Sequence, residues 1–168
     1  SVELWFKGNA NTITGDYRIL CKGFSQPPGK RYEFEIDSGE VLFVVDDDVT
    51  KTILSYPAGK EKISDLSWHH WVCVRDIEKS KLRFYLDGEE VANGDDNSKN
   101  SISSETPLWF ASQDPNDPDF QGKGRCPGAI DELRIYNRVL SKEEIQQNYK
   151  VKDNTMAVSV AGKLATLW

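Results

Sequence analysis

The sequence predicts an all-β domain of two packed antiparallel sheets, a sandwich or jelly roll. Three observations predict it. Short segments that alternate apolar and polar residues, or are briefly apolar throughout, recur along the 168 residues. Turn chemistry separates them at near-regular spacing. Helix-start chemistry occurs in a single stretch.

In chain order, strands are expected at 2–7, 17–23, 31–37, 40–46, 50–56, 68–75, 81–86, 90–93, 108–112 and 129–136. Pro27-Pro28-Gly29 breaks one pair, Asp37-Ser38-Gly39 bends the next, and Asp87-Gly88 is a tight-hairpin signal. Ten short strands so spaced suit two sheets. Ser141-Lys142-Glu143-Glu144 reads as a capping box, in which serine and glutamate satisfy each other's backbone amides. Leu140, Ile145 and Tyr149 form a short apolar stripe there, so one or two helical turns are expected over an end of the sandwich. The polar stretches 93–106 and 113–128 are the long loops, where binding residues concentrate. Residues 1–150 read as one domain and 151–168 as a tail, a linker remnant or an extra strand.

Composition narrows the function. Acidic side chains outnumber basic ones 27 to 21, net charge -6, without a Lys/Arg cluster, which argues against nucleic acid as partner. The longest apolar run, 41–45, is far short of the ~20 residues of a membrane span. Cys21, Cys73 and Cys126 lack the close spacing of zinc ribbons or thioredoxin-type motifs, and their disulfide status stays open. The chain opens on Ser1 and its only methionine is Met156, so it reads as a processed or excised chain.

Three ordered stretches carry a family resemblance. SWHHWVCVRD (67–76), KLRFYLDGEEV (81–91) and GAIDELRIYNRVLS (128–141) resemble the "WHHVAVTYD", "LKLYVDGELV" and "G.IDEVRIYNRALS" segments of laminin-G-like, concanavalin A-like jelly-roll domains. The resemblance covers about residues 1–150 and implies two curved antiparallel sheets, an extracellular or cell-surface setting, and a module of a larger chain that binds glycans or proteins without catalysis. It also implies a structural calcium, held by Asp131 of the closing strand with backbone oxygens from the first strands; the plain alternative is that Asp131 caps the sheet end or pairs with an arginine. Family members usually begin with further strands. Here the first strand is 2–7, which leaves a sheet edge exposed unless 156–168 fills the gap.

Candidate chemistry follows. Glu35-Ile36-Asp37-Ser38-Gly39-Glu40 resembles the E-x-D-x-x-E signature of laminarinase-type β-glucanases, in which two carboxyls flank the bond to be cut. Ser38-Gly39 is good turn chemistry, so the same residues read more simply as a hairpin with Glu40 opening the next strand. Asp114, Asn116, Asp117 and Asp119 crowd oxygens into one loop able to hold sugar hydroxyls or a second cation; a solvated acidic loop is the plain alternative. Asp46-Asp47-Asp48 reads as a solvated turn. His69 and His70 point to opposite faces of a strand and cannot share a metal. Trp109 is the candidate stacking platform, turned outward if Leu108 and Phe110 face the core; Trp68 and Tyr136 read as core residues. The resulting reading is a non-catalytic extracellular binding module for glycans or protein surfaces. It binds through the 114–121 and 93–100 loops and is stabilised by calcium. The alternatives are a β-glucan hydrolase using Glu35 and Glu40, or a structural spacer.

Overall fold

A computed structural model of the chain describes residues 1–9, 15–27, 29–112, 114–117 and 126–154. Its elements run β1 Val2–Gly8, β2 Asp16–Lys22, β3 Arg31–Asp37, β4 Glu40–Asp46, β5 Lys51–Tyr56, α1 Lys60–Ile63, β6 His69–Asp76, β7 Lys81–Leu86, β8 Glu89–Asp95, β9 Leu108–Phe110, β10 Gly128–Ile135 and α2 Lys142–Asn154. Two antiparallel five-stranded sheets form, one ordered β10-β1-β6-β7-β8 (the β6 sheet) and the other β5-β4-β3-β2-β9 (the β3 sheet). The expected jelly-roll sandwich is therefore present.

Alternation explains the packing. Phe6, Trp71 and Phe84 face inward from the β6 sheet and Phe34 and Phe43 from the β3 sheet. Phe34 lies 5.6 Å from Trp71 and meets Phe84 edge-on at 5.8 Å, centroid to centroid. Such offset and edge contacts suit ring quadrupoles, and truncating a core ring costs roughly 3–5 kcal/mol. Both hairpin signals hold. Ser38 and Gly39 have φ of 50° and 88°, and Asp87 and Gly88 have 52° and 82°, the paired left-handed conformations of a turn matched to strand twist.

Five expectations need correction. β1 is not an edge: it lies between β10 and β6, so the closing strand covers it. The tail proposed for that task, 156–168, lies outside the described residues. The helix is longer than one or two turns. The capping box forms, with the Glu144 amide donating to Ser141 Oγ (3.2 Å) and the Ser141 amide to Glu144 Oε2 (2.9 Å). From there α2 continues for 13 residues because Ile145 and Tyr149 find partners on the sheet. The sequence reading missed α1, which sinks Ile63 into the core. Trp68 precedes β6 and is 37% exposed rather than a core residue.

The fifth correction concerns Asp47, which is 2% exposed, not solvated. Its carboxylate accepts the backbone amides of Val49 (3.0 Å), Thr50 (2.7 Å), Lys99 (2.8 Å) and Asn100 (2.7 Å). These hydrogen bonds, the Asn100 amide foremost, hold the carboxyl well below its ordinary range. Stability from a depressed carboxyl is present above its unfolded value and lost as pH falls. Asp47→Ala is expected to cost about 2–3 kcal/mol in urea unfolding at pH 7. The gap from the parent should begin to narrow below about pH 4 and go on narrowing as pH falls further; a gap independent of pH would contradict this role.

Candidate functional site

Each sheet has an outer face, and the two faces differ. On the β6 sheet, Leu140 and Ile145 pack against Val72, Val74 and Tyr85. Tyr149 stacks on Trp5 at 5.8 Å, and Trp5 meets the His70 ring at 5.1 Å. Beneath them the buried Glu3 carboxylate accepts from His70 Nε2 (2.8 Å), Tyr136 Oη (2.7 Å) and Asn148 Nδ2 (3.1 Å). Helix α2 thus closes this face. Among the described residues no helix covers the outer face of the β3 sheet.

Strand register fixes what that second face presents. One row across the sheet is Trp109, Cys21, Glu33, Val44 and Ile53. The next is Arg18, Glu35, Leu42 and Ser55. A bulge between Arg18 and Leu20 makes this possible, because the extra residue, Ile19, lets Arg18 and Cys21 both point outward although three positions apart. Arg18 ion-pairs with Asp16, Glu33 and Glu35, the last at 2.7 Å. Arg31 Nη1 donates to Glu33 Oε2 at 2.7 Å. Glu33 is 1% exposed, Arg31 5% and Glu35 9%, so this is a buried polar layer on the outside of the sheet. Burial, then the adjacent Glu33 carboxyl, push Glu35 up to about 9 against the pull of Arg18. Burial and the Glu33 charge also push the Cys21 thiol up to about 12, which closes off thiolate chemistry there.

The sequence profile of the concanavalin A-like lectin/glucanases superfamily (Laminin_G_3) matches residues 1–146. The chain belongs to that superfamily. No curated protein sequence matches it. Among solved structures, the Ruminococcus gnavus IT-sialidase CBM40 is similar in fold, at 18% identity and TM-score 0.65, over 88% of this chain and 80% of that one. The same CBM40 has been solved with α2,3 sialyllactose bound, at 19% identity and TM-score 0.65, with coverage again 88% and 80%. The botulinum neurotoxin serotype D binding domain matches at 17% and TM-score 0.68, and mouse laminin α1 LG4-5 at 17% and 0.62. They cover 90% and 79% of this chain, which spans only 36% and 33% of theirs.

Within this superfamily fold the sequence-predicted residues fall as follows. Trp109 sits on β9 opposite Cys21, on the outer face and partly buried, and its indole N–H finds no acceptor among the described residues. Asp114 and Asp117 are 1% and 4% exposed, so the loop is not simply solvated. Asp114 Oδ1 accepts from the Asn116 amide (2.8 Å) and Nδ2 (3.1 Å), a self-closing Asx turn, while Asn116 itself is exposed. The Asp117 carboxylate takes the Ser25 amide (3.1 Å) and hydroxyl (2.7 Å). Asp119 lies outside the described residues. Asp48 Oδ1 accepts from Gly29 (2.7 Å) and Lys30 (3.1 Å), so aspartates lace the 24–30, 46–50, 96–100 and 114–117 loops together at one end. Asp131 is exposed at the far edge of the other sheet, its Oδ1 accepting the Glu132 amide at 2.9 Å. No three described His, Cys, Asp or Glu side chains gather as a metal site, so a calcium at Asp131 would need backbone oxygens for most of its shell.

Glu35 and Glu40 both face outward, but β3 and β4 double back at Ser38, pairing Asp37 with Glu40. Glu35 is drawn toward Arg18 on β2, whereas Glu40 accepts from Ser55 Oγ on β5 at 2.6 Å. His69 and His70 diverge as alternation requires. His69 bonds Asp87 (2.8 Å) and Asp65 (3.2 Å) at an end of the core, and His70 lies under α2. The sequence reading missed Arg18, Arg31 and Glu33. For Arg31 and Glu33 the signal was available in Arg31-Tyr32-Glu33-Phe34-Glu35-Ile36-Asp37, where charged and apolar residues alternate without a break; Arg18 had none.

Because folded Glu35 keeps a proton that the unfolded chain has lost, stability is expected to fall as pH rises from about 5 to about 9. Glu35→Gln should flatten that slope in urea unfolding measured across the range. Parallel slopes for parent and variant would contradict the assignment.

Proposed function

We propose that the chain is a non-catalytic glycan-binding module whose ligand lies on the outer face of the β3 sheet. The observation that carries this reading is the asymmetry of the two outer faces. Helix α2 closes one; on the other, a fixed ion-paired layer of Arg18, Arg31, Glu33 and Glu35 lies beside the more exposed carboxyls of Asp16, Asp37 and Glu40 and is bordered by an aromatic side chain. Sugars need that combination: pyranose C–H faces stack on a ring while fixed carboxyl and guanidinium groups take the hydroxyls. Trp109 is the stacking platform and exposed Asn116 the rim contact. Asp114 and Asp117 belong to the rim loop and shape it, Asp114 through its bonds to Asn116 and Asp117 through its bonds to Ser25. The fold's likeness to a CBM40 solved with sialyllactose, and to a toxin's receptor binding domain, supports a binding role. The proposal includes an extracellular or cell-surface setting, which the likeness to laminin α1 LG4-5 and to a toxin's binding domain supports. The divergence of Glu35 and Glu40 supports a role without hydrolysis.

In native affinity gels containing a polysaccharide panel, at least one glycan should retard the protein, and Trp109→Ala should remove the retardation while leaving the melting midpoint within a few degrees. No retardation by any glycan would overturn the reading. Release of reducing ends from β-glucan, abolished by Glu35→Gln, would replace it with hydrolysis.

A structural calcium at Asp131 is a separate part of the proposal. Calcium should raise the melting midpoint and chelator should lower it, because a ligand bound only to the folded state adds stability. Asp131→Asn should erase the difference; a midpoint indifferent to chelator would remove the metal.

A further inference from the structure

We infer that this outer face selects uncharged glycans and excludes those carrying a carboxylate, such as sialylated or uronic-acid sugars. The inference rests on the binding reading above and adds the ligand class. An anionic sugar is held by a guanidinium free to offer two parallel N–H donors, or by a net positive field. Register places three cations on the face: Arg18, Arg31 and Lys51. Arg18 is already shared among Asp16, Glu33 and Glu35; Arg31 donates to Glu33 through Nη1 and is only 5% exposed, its buried Nε having no acceptor among the described residues. Six carboxyl groups occupy the same rows, those of Asp16, Glu33, Glu35, Asp37, Glu40 and Asp46. Among the described strand residues six stand against three, which leaves them acidic in sum even with Glu35 protonated. In the neighbouring loop the described residues Asp114 and Asp117 are acidic as well, and the whole chain carries -6.

A ligand carboxylate would meet this field in a partly desolvated site, where like charges repel most strongly. It would also have to compete with intramolecular carboxylates for each guanidinium. A neutral pyranose meets no such cost. Its hydroxyls donate to the ionised carboxylates and accept from Arg18, and its apolar face rests on Trp109. The asymmetry of cost, rather than any single contact, sets the preference.

The test is a glycan array of matched pairs differing only in an acidic sugar, lactose against its α2,3- and α2,6-sialylated forms among them, read at 20 mM and 500 mM salt. For every pair that binds, the neutral member should be favoured at least tenfold at low salt, and the margin should shrink at high salt as screening grows. The triple variant Asp16→Asn/Asp37→Asn/Glu40→Gln removes three of the face carboxyls, none of them in the core. It should fold normally and lose most of the discrimination. Tighter binding of the acidic members, or discrimination unchanged in the triple variant, would overturn this inference and leave the binding reading standing. Retention of no glycan of either kind would overturn both.

Discussion

The middle strand of the β3 sheet has to satisfy two environments at once, and most of the molecule follows from how it does so. From Arg31 to Asp37, every second residue enters the aromatic core, where Phe34 touches Trp71 and Phe84. The residues between them, Arg31, Glu33 and Glu35, are also nearly removed from water. Burying carboxylates on the outside of a sheet is unfavourable unless a cation is buried with them. Arg18 supplies that cation, and the bulge at Ile19 delivers it. One irregularity in β2 therefore lets a largely buried strand carry charge.

The two faces then acquire different tasks. The β6 sheet completes its outer side internally with α2, whose capping box fixes its start and whose Tyr149 reaches Trp5. The β3 sheet retains an outer side made of fixed polar groups with Trp109 at its border. Rigidity comes from the loop end, where Asp47, Asp48 and Asp117 each bind backbone amides of a neighbouring loop. Aspartates that look like a solvated acidic surface are instead fasteners, each tying backbone amides of a neighbouring loop. A ligand meeting such a surface has little loop ordering to offset.

The fold was legible because its signals are local. Alternation gave the strands nearly to the residue, Ser38-Gly39 and Asp87-Gly88 gave the turns, and Ser141 with Glu144 gave the helix start. The polar layer was harder to read. Alternation in β3 showed that Glu33 and Glu35 share a side, but Arg18 reaches them only through a bulge that no periodicity announces. Asp47 was misread for the same reason: its partners at Lys99 and Asn100 are about fifty positions away along the chain. The covered position of β1 likewise depends on a pairing with β10, from the other end of the domain. Contacts distant in sequence, rather than unusual residues, separate what the sequence discloses from what the coordinates add.

The central claim is that recognition takes place on the outer face of the β3 sheet. Amide and indole NMR spectra recorded while titrating a glycan that the protein retains test it most directly. The account predicts that shifts concentrate on the Trp109 indole N–H and on backbone amides of Arg18, Cys21, Glu33 and Glu35, with α2 undisturbed. Shifts confined to α2 and the β6–β8 strands would contradict it.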